Sequence, residues 1–526
     1  SEDERRRYVF ESVRVPAANG VQLQAQVVRP KNSARAMPAL LEFTIHHDST
    51  QSAAAPAAHG YAGVIAFTRA TQNPPALALP FEFDGEDAVA VIAWIAQQPW
   101  NDGNVAMIGE GYSGFTAWAA AARAPPALKA IATADPMAPG IDMPMSGNIF
   151  HNEAYRWAQR VTGRSDGQAK PGDDGAAWAA LDRAWFTSGR RYRDLDNLNG
   201  ARNPFFERWL NHPSYDRYWQ KMIPFREGFA QVRIPALTVT GYYSANQSGA
   251  LYYFDQHLRY LPSADHRLLV GPYVQGGGEP AESAAQLDLT QLRYQWLDHV
   301  FKGTQRPAPL EDRVNFITQG VDQWRHADSL RTMSNGVLRF YLDAQITAGG
   351  HLLAQRETPN DTFVSTQLSM RDRSETNTAT TYISAPLAAP TDLAGEIRGR
   401  IELLTNKQDV DLTLAIYELR ANGEFVMLFD PAITFRASYA ADRVRRRLLK
   451  AGRRQQIEFR SERLMSRRLA AGSRLMLVLG VNKRPDQQIN YGAGNDVSEE
   501  SIADARTPMR LRWYGGSYVE LPIREP

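Results

Sequence analysis

The chain has 526 residues, more than one hydrophobic core usually serves, so two or three domains are expected. Hydrophobic residues at 43% and charged residues at 22% describe an ordinary globular composition, and a net charge of +2 gives no argument for a nucleic-acid partner. The absence of cysteine excludes disulfides, thiolate metal sites and cysteine nucleophiles. No run is long and apolar enough to span a bilayer, so a soluble chain with no membrane partner is expected. The opening Ser-Glu-Asp-Glu-Arg-Arg-Arg lacks an initiator methionine and an apolar signal core. A processed start is therefore expected, and the compartment stays open between cytoplasm and a periplasmic or secreted location.

In chain order, residues 8–29 alternate polar and apolar around Ala-Asn-Gly, which predicts a hairpin of half-buried strands. The continuous apolar runs beginning at Pro38 and Tyr61 predict interior strands of a mostly parallel sheet. Asp84-Gly-Glu-Asp87 opens a helix with Val89, Ile92, Ala93 and Ala96 on one face and carboxylates at its positive end. A strand over 105–108 then runs into Gly109-Glu110-Gly111-Tyr112-Ser113-Gly114, followed by an alanine-rich helix. A strand breaking at glycines into a helix is the pattern of a nucleophile elbow, the strained turn that lifts one side chain above an α/β sheet. Another strand follows from Leu128, and the alternation to this point predicts a doubly wound sheet.

From about 137 to 230 aromatics recur at helical spacing (Phe150, Tyr155, Trp157, Trp178, Trp185, Tyr192), which predicts a helical cap over the carboxyl edge of the sheet, where α/β enzymes bind ligands. Sheet-type runs return at Ile234–Gly241 and His266–Gly271, and a last long helix is predicted over 283–302. After Pro307 strand-like segments follow at short intervals, starting with Arg313–Thr318, and predict an all-β sandwich of jelly-roll type. The expected division is a hydrolase domain over 1–136 and 231–305, a cap over 137–230 and a sandwich over 306–526. The arginines at 443–447, 453–454 and 467–468 read as a solvated strand face or a subunit contact.

The order of hydrolase sheet, helical cap and β-sandwich, with phrases such as Gln97-Gln-Pro-Trp-Asn-Asp-Gly-Asn-Val105, His212-Pro-Ser-Tyr-Asp-Arg-Tyr-Trp219, Gly241-Tyr-Tyr-Ser244 and Gly271-Pro-Tyr-Val-Gln275, resembles the cocaine esterase, X-Pro dipeptidyl-peptidase and α-amino-acid ester hydrolase family over nearly the whole chain. The resemblance implies an α/β-hydrolase fold and a small-molecule substrate, with no cofactor and a homo-oligomer left open. It also implies a serine at the elbow, an aspartate after Gly-Trp-Tyr and a histidine at the end of Gly-Pro-Trp-x-His. At those positions this chain has Gly111, Ser244 and Gln275. The oxyanion tyrosine of the family is matched most nearly by His46. Acyl transfer needs a hydroxyl or thiol, a base and a group that orients the base, and all three side chains are replaced.

Ser113 does not substitute on helical geometry, because two residues rotate a side chain by roughly 200°. A helix-start hydroxyl is more often a cap. The remaining candidates surround the elbow. Glu110 precedes the tip, with a buried hydrogen-bonded role as the plain alternative to catalysis. His46 and His47 follow a buried strand and alternate in direction, so one faces inward, and Asp48 is placed to orient it. Arg69 is a candidate clamp for a carboxylate or phosphate, against an ion pair with Asp84 or Glu86. Tyr112 keeps a backbone N–H that suits an oxyanion. Tyr243, Ser244 and Gln275 line the expected substrate side, and Trp157 and Trp185 are candidates for an aromatic pocket. No metal is expected. Two readings stand: acid–base catalysis by Glu110 with His46 or His47 on a small ester, amide or glycoside-like substrate, or an inactive relative that binds a ligand or protein.

Overall fold

The computed structural model describes residues 6–46, 53–71, 79–162, 175–274, 287–374 and 379–525. Twelve strands precede residue 330: β1 (Tyr8–Pro16), β2 (Gln22–Pro30), β3 (Met37–Thr44), β4 (Ala62–Phe67), β5 (Asn101–Glu110), β6 (Leu128–Ala134), β7 (Met145–Ser146), β8 (Ile149–Phe150), β9 (Ala236–Tyr243), β10 (His266–Val274), β11 (Val314–Thr318) and β12 (Gln323–Ala327). All but the β7–β8 hairpin join one sheet in the order β1-β2-β4-β3-β5-β6-β9-β10-β11-β12. Its centre is parallel, and β1, β2 and β12 pair antiparallel at the edges.

Alternation along β5 shows how both faces are covered. Val105 and Met107 pack into the core that holds Val91 and Ile95 of the helix Asp84–Ala96 and Trp118 of the helix Tyr112–Ala121. Ala106 and Ile108 pack instead with Leu292, Trp296 and Leu297 of the helix Leu289–Lys302. Strands buried on both faces carry apolar residues throughout, which is why the central runs lack a polar rhythm.

The strand expected to open the sandwich lies elsewhere. β11 runs parallel to β10, with Leu268 opposite Val314, and β12 folds back on it, so the hydrolase sheet reaches Ala327 rather than ending near 305. Every residue of Val314–Thr318 is buried, so its sequence shows no solvent face and cannot announce which sheet it joins.

The cap starts with the β7–β8 hairpin and continues through helices such as Asn152–Thr162, Gly175–Ser188 and Pro204–Leu210. The hairpin is seated on the C-terminal domain. Arg436 donates from Nη1 to the Asn148 carbonyl (2.9 Å) and from its amide to the Gly147 carbonyl (3.0 Å). Phe150 and Gln488 exchange bonds of 3.1 and 2.9 Å. Arg436 is itself buried and forked onto Asp411 at 2.9 and 3.0 Å. The strands from Gly336 to Ile523 form a twelve-stranded all-β domain, in which Ile397, Ile401, Leu412, Leu414, Leu477 and Leu479 share one buried core.

Candidate functional site

The turn after β5 has the backbone of a nucleophile elbow. Gly111 sits at φ 54°, ψ −111°, the helix Tyr112–Ala121 starts at the next residue, and Glu110 pairs with Ala134 of β6. The turn is held on both sides: the Gly111 amide donates to the Ala134 carbonyl, while its own carbonyl accepts from Phe115 and Met137, each at 3.0 Å. Flanking glycines permit the close approach. A Cβ at Gly109 would lie 2.5 Å from the Ser113 carbonyl carbon, and one at Gly114 would lie 2.8 Å from Pro136 Cα. Gly111 differs from both, because its nearest neighbour among the described residues would be the Met137 methyl at 4.0 Å. No described residue fills the tip of the elbow.

Ser113 points back into the scaffold, as its place in the first helical turn predicts. Its Oγ accepts from the Glu110 amide at 2.9 Å and lies 3.0 Å from the Glu110 carbonyl and 3.3 Å from Glu42 Oε1, with the residue 3% exposed. The Tyr112 side chain also turns away from the substrate side: its phenol donates to Asp84 and accepts from the Phe81 amide (2.9 Å). Burial pushes the Asp84 carboxyl up to about 7, against the bonds from Tyr112 and Phe81, and raises the Tyr112 phenol as well. What Tyr112 offers the site is its backbone N–H, which heads the helix where no intrahelical acceptor exists.

Several expected ligand-facing groups are structural. Arg69 is 4% exposed, lies over the Phe83 ring and forks onto Asp87 at 2.7 and 2.6 Å; the partner is one helical turn beyond Asp84. Ser244 is fully buried: its Oγ accepts from the Asn246 amide (3.2 Å), and its carbonyl accepts from Arg463 (3.0 Å). Tyr243, by contrast, is 37% exposed, and its phenol donates to Gln319 Oε1 at 2.5 Å, in the turn between β11 and β12. Trp157 stacks with Phe81, Tyr112 and Trp209 and also lines the cleft described below, whereas Trp185 packs edge-on to Tyr192 in the core. Half of the arginines at 443–447, 453–454 and 467–468 are ion-paired within the chain: Arg443 with Glu462, Arg446 with Asp409, Arg454 with Glu402 and Arg468 with Asp392. His47, Asp48 and Gln275 lie outside the described residues.

Glu110 and His46 remain open to solvent at the carboxyl edge. Glu110 continues the even register of β5, on the face of the helix Leu289–Lys302. Loss of water around its carboxyl, then the charges of Asp135 and Glu42, raise its pKa, while Arg293 opposes them. The His46 amide donates to Thr44 Oγ1 (3.0 Å). Asp135 was missed in the sequence, although it directly follows β6 at the edge where ligands bind; it is 3% exposed, has φ 43° and accepts from Thr240 at 2.7 Å. A cleft of about 1370 Å³ begins behind Met137 and runs between cap, the helix Gln247–Tyr260 and the C-terminal domain.

An open-tipped elbow on a mostly parallel sheet, with a cap and a C-terminal β-domain, defines an α/β-hydrolase. Residues 19–273 match the X-Pro dipeptidyl-peptidase (S15) family and residues 303–495 match the X-Pro dipeptidyl-peptidase C-terminal non-catalytic domain. The cocaine esterase of Rhodococcus sp. strain MB1 Bresler is 24% identical over 575 residues, covering 98% of each chain. Among solved structures, an aminopeptidase from a marine-sediment Thaumarchaeota archaeon aligns with TM-score 0.78 at 18% identity, over 98% of this chain and 96% of that one. An α-amino-acid ester hydrolase aligns with TM-score 0.77 at 18% identity, over 98% and 97%. The chain belongs to the cocaine esterase and X-Pro dipeptidyl-peptidase family.

Proposed function

We propose that the chain hydrolyses small esters or amides without a serine nucleophile, with Glu110 as the general base toward water. The observation that carries this reading is the pairing of an open glycine tip with an exposed, pKa-raised carboxyl one residue before it. Ionised Glu110 takes a proton from water, and the hydroxide adds to the substrate carbonyl in the space above Gly111. The Tyr112 amide N–H stabilises the oxyanion. The proton then passes from Glu110 to the leaving oxygen or nitrogen as its bond to carbon breaks, and the carboxylate is regenerated. His46 at the same edge, or His47, assists that return. A carboxylate with a raised pKa is a more effective base than an ordinary one, and loss of water around Glu110, then the charges of Asp135 and Glu42, move it in that direction.

The test is turnover of a panel of para-nitrophenyl esters and anilides, with and without a fluorophosphonate that captures activated serines. Turnover insensitive to the fluorophosphonate, retained in Ser113→Ala and reduced about 10²–10⁴-fold in Glu110→Gln is expected. Complete inhibition by the fluorophosphonate, or unchanged turnover in Glu110→Gln, overturns the proposal. If no substrate is turned over, the inactive ligand-binding reading replaces it; its support is the loss of all three serine-triad side chains at the positions of Gly111, Ser244 and Gln275.

A further inference from the structure

Two buried arginines of the C-terminal domain line the same cleft, and their surroundings differ in one respect. Arg436 has its counter-charge, with Nε and Nη2 on the two oxygens of Asp411. Burial opposes its charge, but Asp411 more than restores it. Arg463, 7% exposed, has no carboxylate within ion-pair distance among the described residues. Its Nη2 donates to three backbone carbonyls, those of Tyr242 (3.1 Å), Ser244 (3.0 Å) and Asp430 (3.0 Å). Nε is buried with no hydrogen-bond partner, and Nη1 bonds to no described residue. Burial lowers the guanidinium to about 10, with Asp430 and Asp135 near enough to soften the effect without touching it. The group stays charged at neutral pH.

A buried cation is normally paired, because carbonyl dipoles replace only part of the water it has lost. We infer that Arg463 is an anion anchor, and that the cleft takes a small monoanionic carboxylate with an aliphatic body. One uncompensated positive charge calls for one negative charge. With Nη2 already engaged by carbonyls, the free donors suit a single oxygen contact better than a forked phosphate grip. Met137, Ile141 and Leu251 supply apolar wall along the same cleft. Met137 also lies beside Gly111, so this cleft and the elbow share that side chain. The assignment does not depend on Glu110 doing chemistry, and its test reads binding.

The experiment titrates the full chain with hexanoate, hexanamide and inorganic phosphate at constant ionic strength, following the thermal midpoint and the heat of binding. Hexanoate should raise the midpoint saturably, with hexanamide at least tenfold weaker and phosphate without a saturable effect. Arg463→Gln should abolish the hexanoate shift, and Arg463→Lys should retain part of it. Equal binding of hexanamide and hexanoate by the wild type overturns the inference, and that comparison stands even if Arg463→Gln fails to fold. Phosphate matching hexanoate overturns the carboxylate assignment, and an undiminished hexanoate shift in a folded Arg463→Gln overturns the role of the arginine.

Discussion

Replacing Gly111 by alanine adds one methyl group at the elbow tip, and two opposing effects set its cost. Among the described residues the new Cβ meets nothing closer than the Met137 methyl at 4.0 Å, so they impose no packing penalty. The backbone at φ 54°, ψ −111° is a conformation that L-residues avoid, and holding one there costs about 1–3 kcal/mol. Stiffening of the unfolded chain returns about 0.4–1 kcal/mol. The net loss should be about 1–2 kcal/mol. Gly109→Ala is the internal control: its Cβ would lie 2.5 Å from Ser113 backbone, so the helix start must move, and the loss should exceed about 4 kcal/mol, the range of the most damaging substitutions. Urea unfolding followed by tryptophan fluorescence, with both variants beside wild type, measures the ordering. Equal losses in the two variants would refute the claim that the tip is open and only the backbone resists. Gly111→Ser adds a chemical arm. It should fold like Gly111→Ala yet label only weakly with a fluorophosphonate, because Gln275 and Ser244 stand where the family resemblance implies the histidine and aspartate that would activate it; strong labelling would show that Glu110 or another base activates the new hydroxyl.

Arg69→Met should destabilise by about 3–5 kcal/mol, measured by the same unfolding assay, because it leaves Asp87 fully buried without its cation. Asp84 supplies a pH signature. Its carboxyl rises from 3.8 to about 7 in the fold, so the folded state favours the protonated form. That stability is complete below about pH 4 and is lost as pH rises toward 7, by up to about 4 kcal/mol at 1.36 kcal/mol per unit. The stability of wild type relative to Asp84→Asn should therefore fall across that window, and a constant difference would contradict it. For Glu110, the raised pKa means that base-dependent turnover should decline on acidification at a pH above the usual carboxylate range, read from a pH profile of kcat/KM.

How much of this the sequence disclosed depends on how local each signal is. The hairpin of β1 and β2, the buried parallel strands and the elbow all follow from short-range pattern and turn chemistry, and they fall at the expected residues. Ser113 was readable too, because helical rotation alone turns it inward. Arg69 and Ser244 were not. Whether a guanidinium meets Asp84, Glu86 or Asp87 depends on a fraction of a helical turn and on how that helix docks against β4. Ser244 was expected on the substrate side because the resemblance implies an aspartate at that position, yet the side chain accepts from the Asn246 amide. Arg463 gave no warning, since Arg460, Arg463, Arg467 and Arg468 lie on one strand and only packing across the domain boundary separates paired from unpaired.

The seating of the β7–β8 hairpin constrains how substrates can arrive. Because Gly147, Asn148 and Phe150 are bonded to residues of the C-terminal domain, that end of the cap is clamped and cannot swing as a free flap. A Cβ at Gly147 would approach the Thr434 carbonyl to 2.7 Å, so even the spacing of the clamp is fixed by the glycine. Traffic into the cleft must then come from rearrangement at the opposite end of the cap or from the loops at the sheet's carboxyl edge. In hydrogen exchange the hairpin amides should open together with the C-terminal domain instead of with the cap helices.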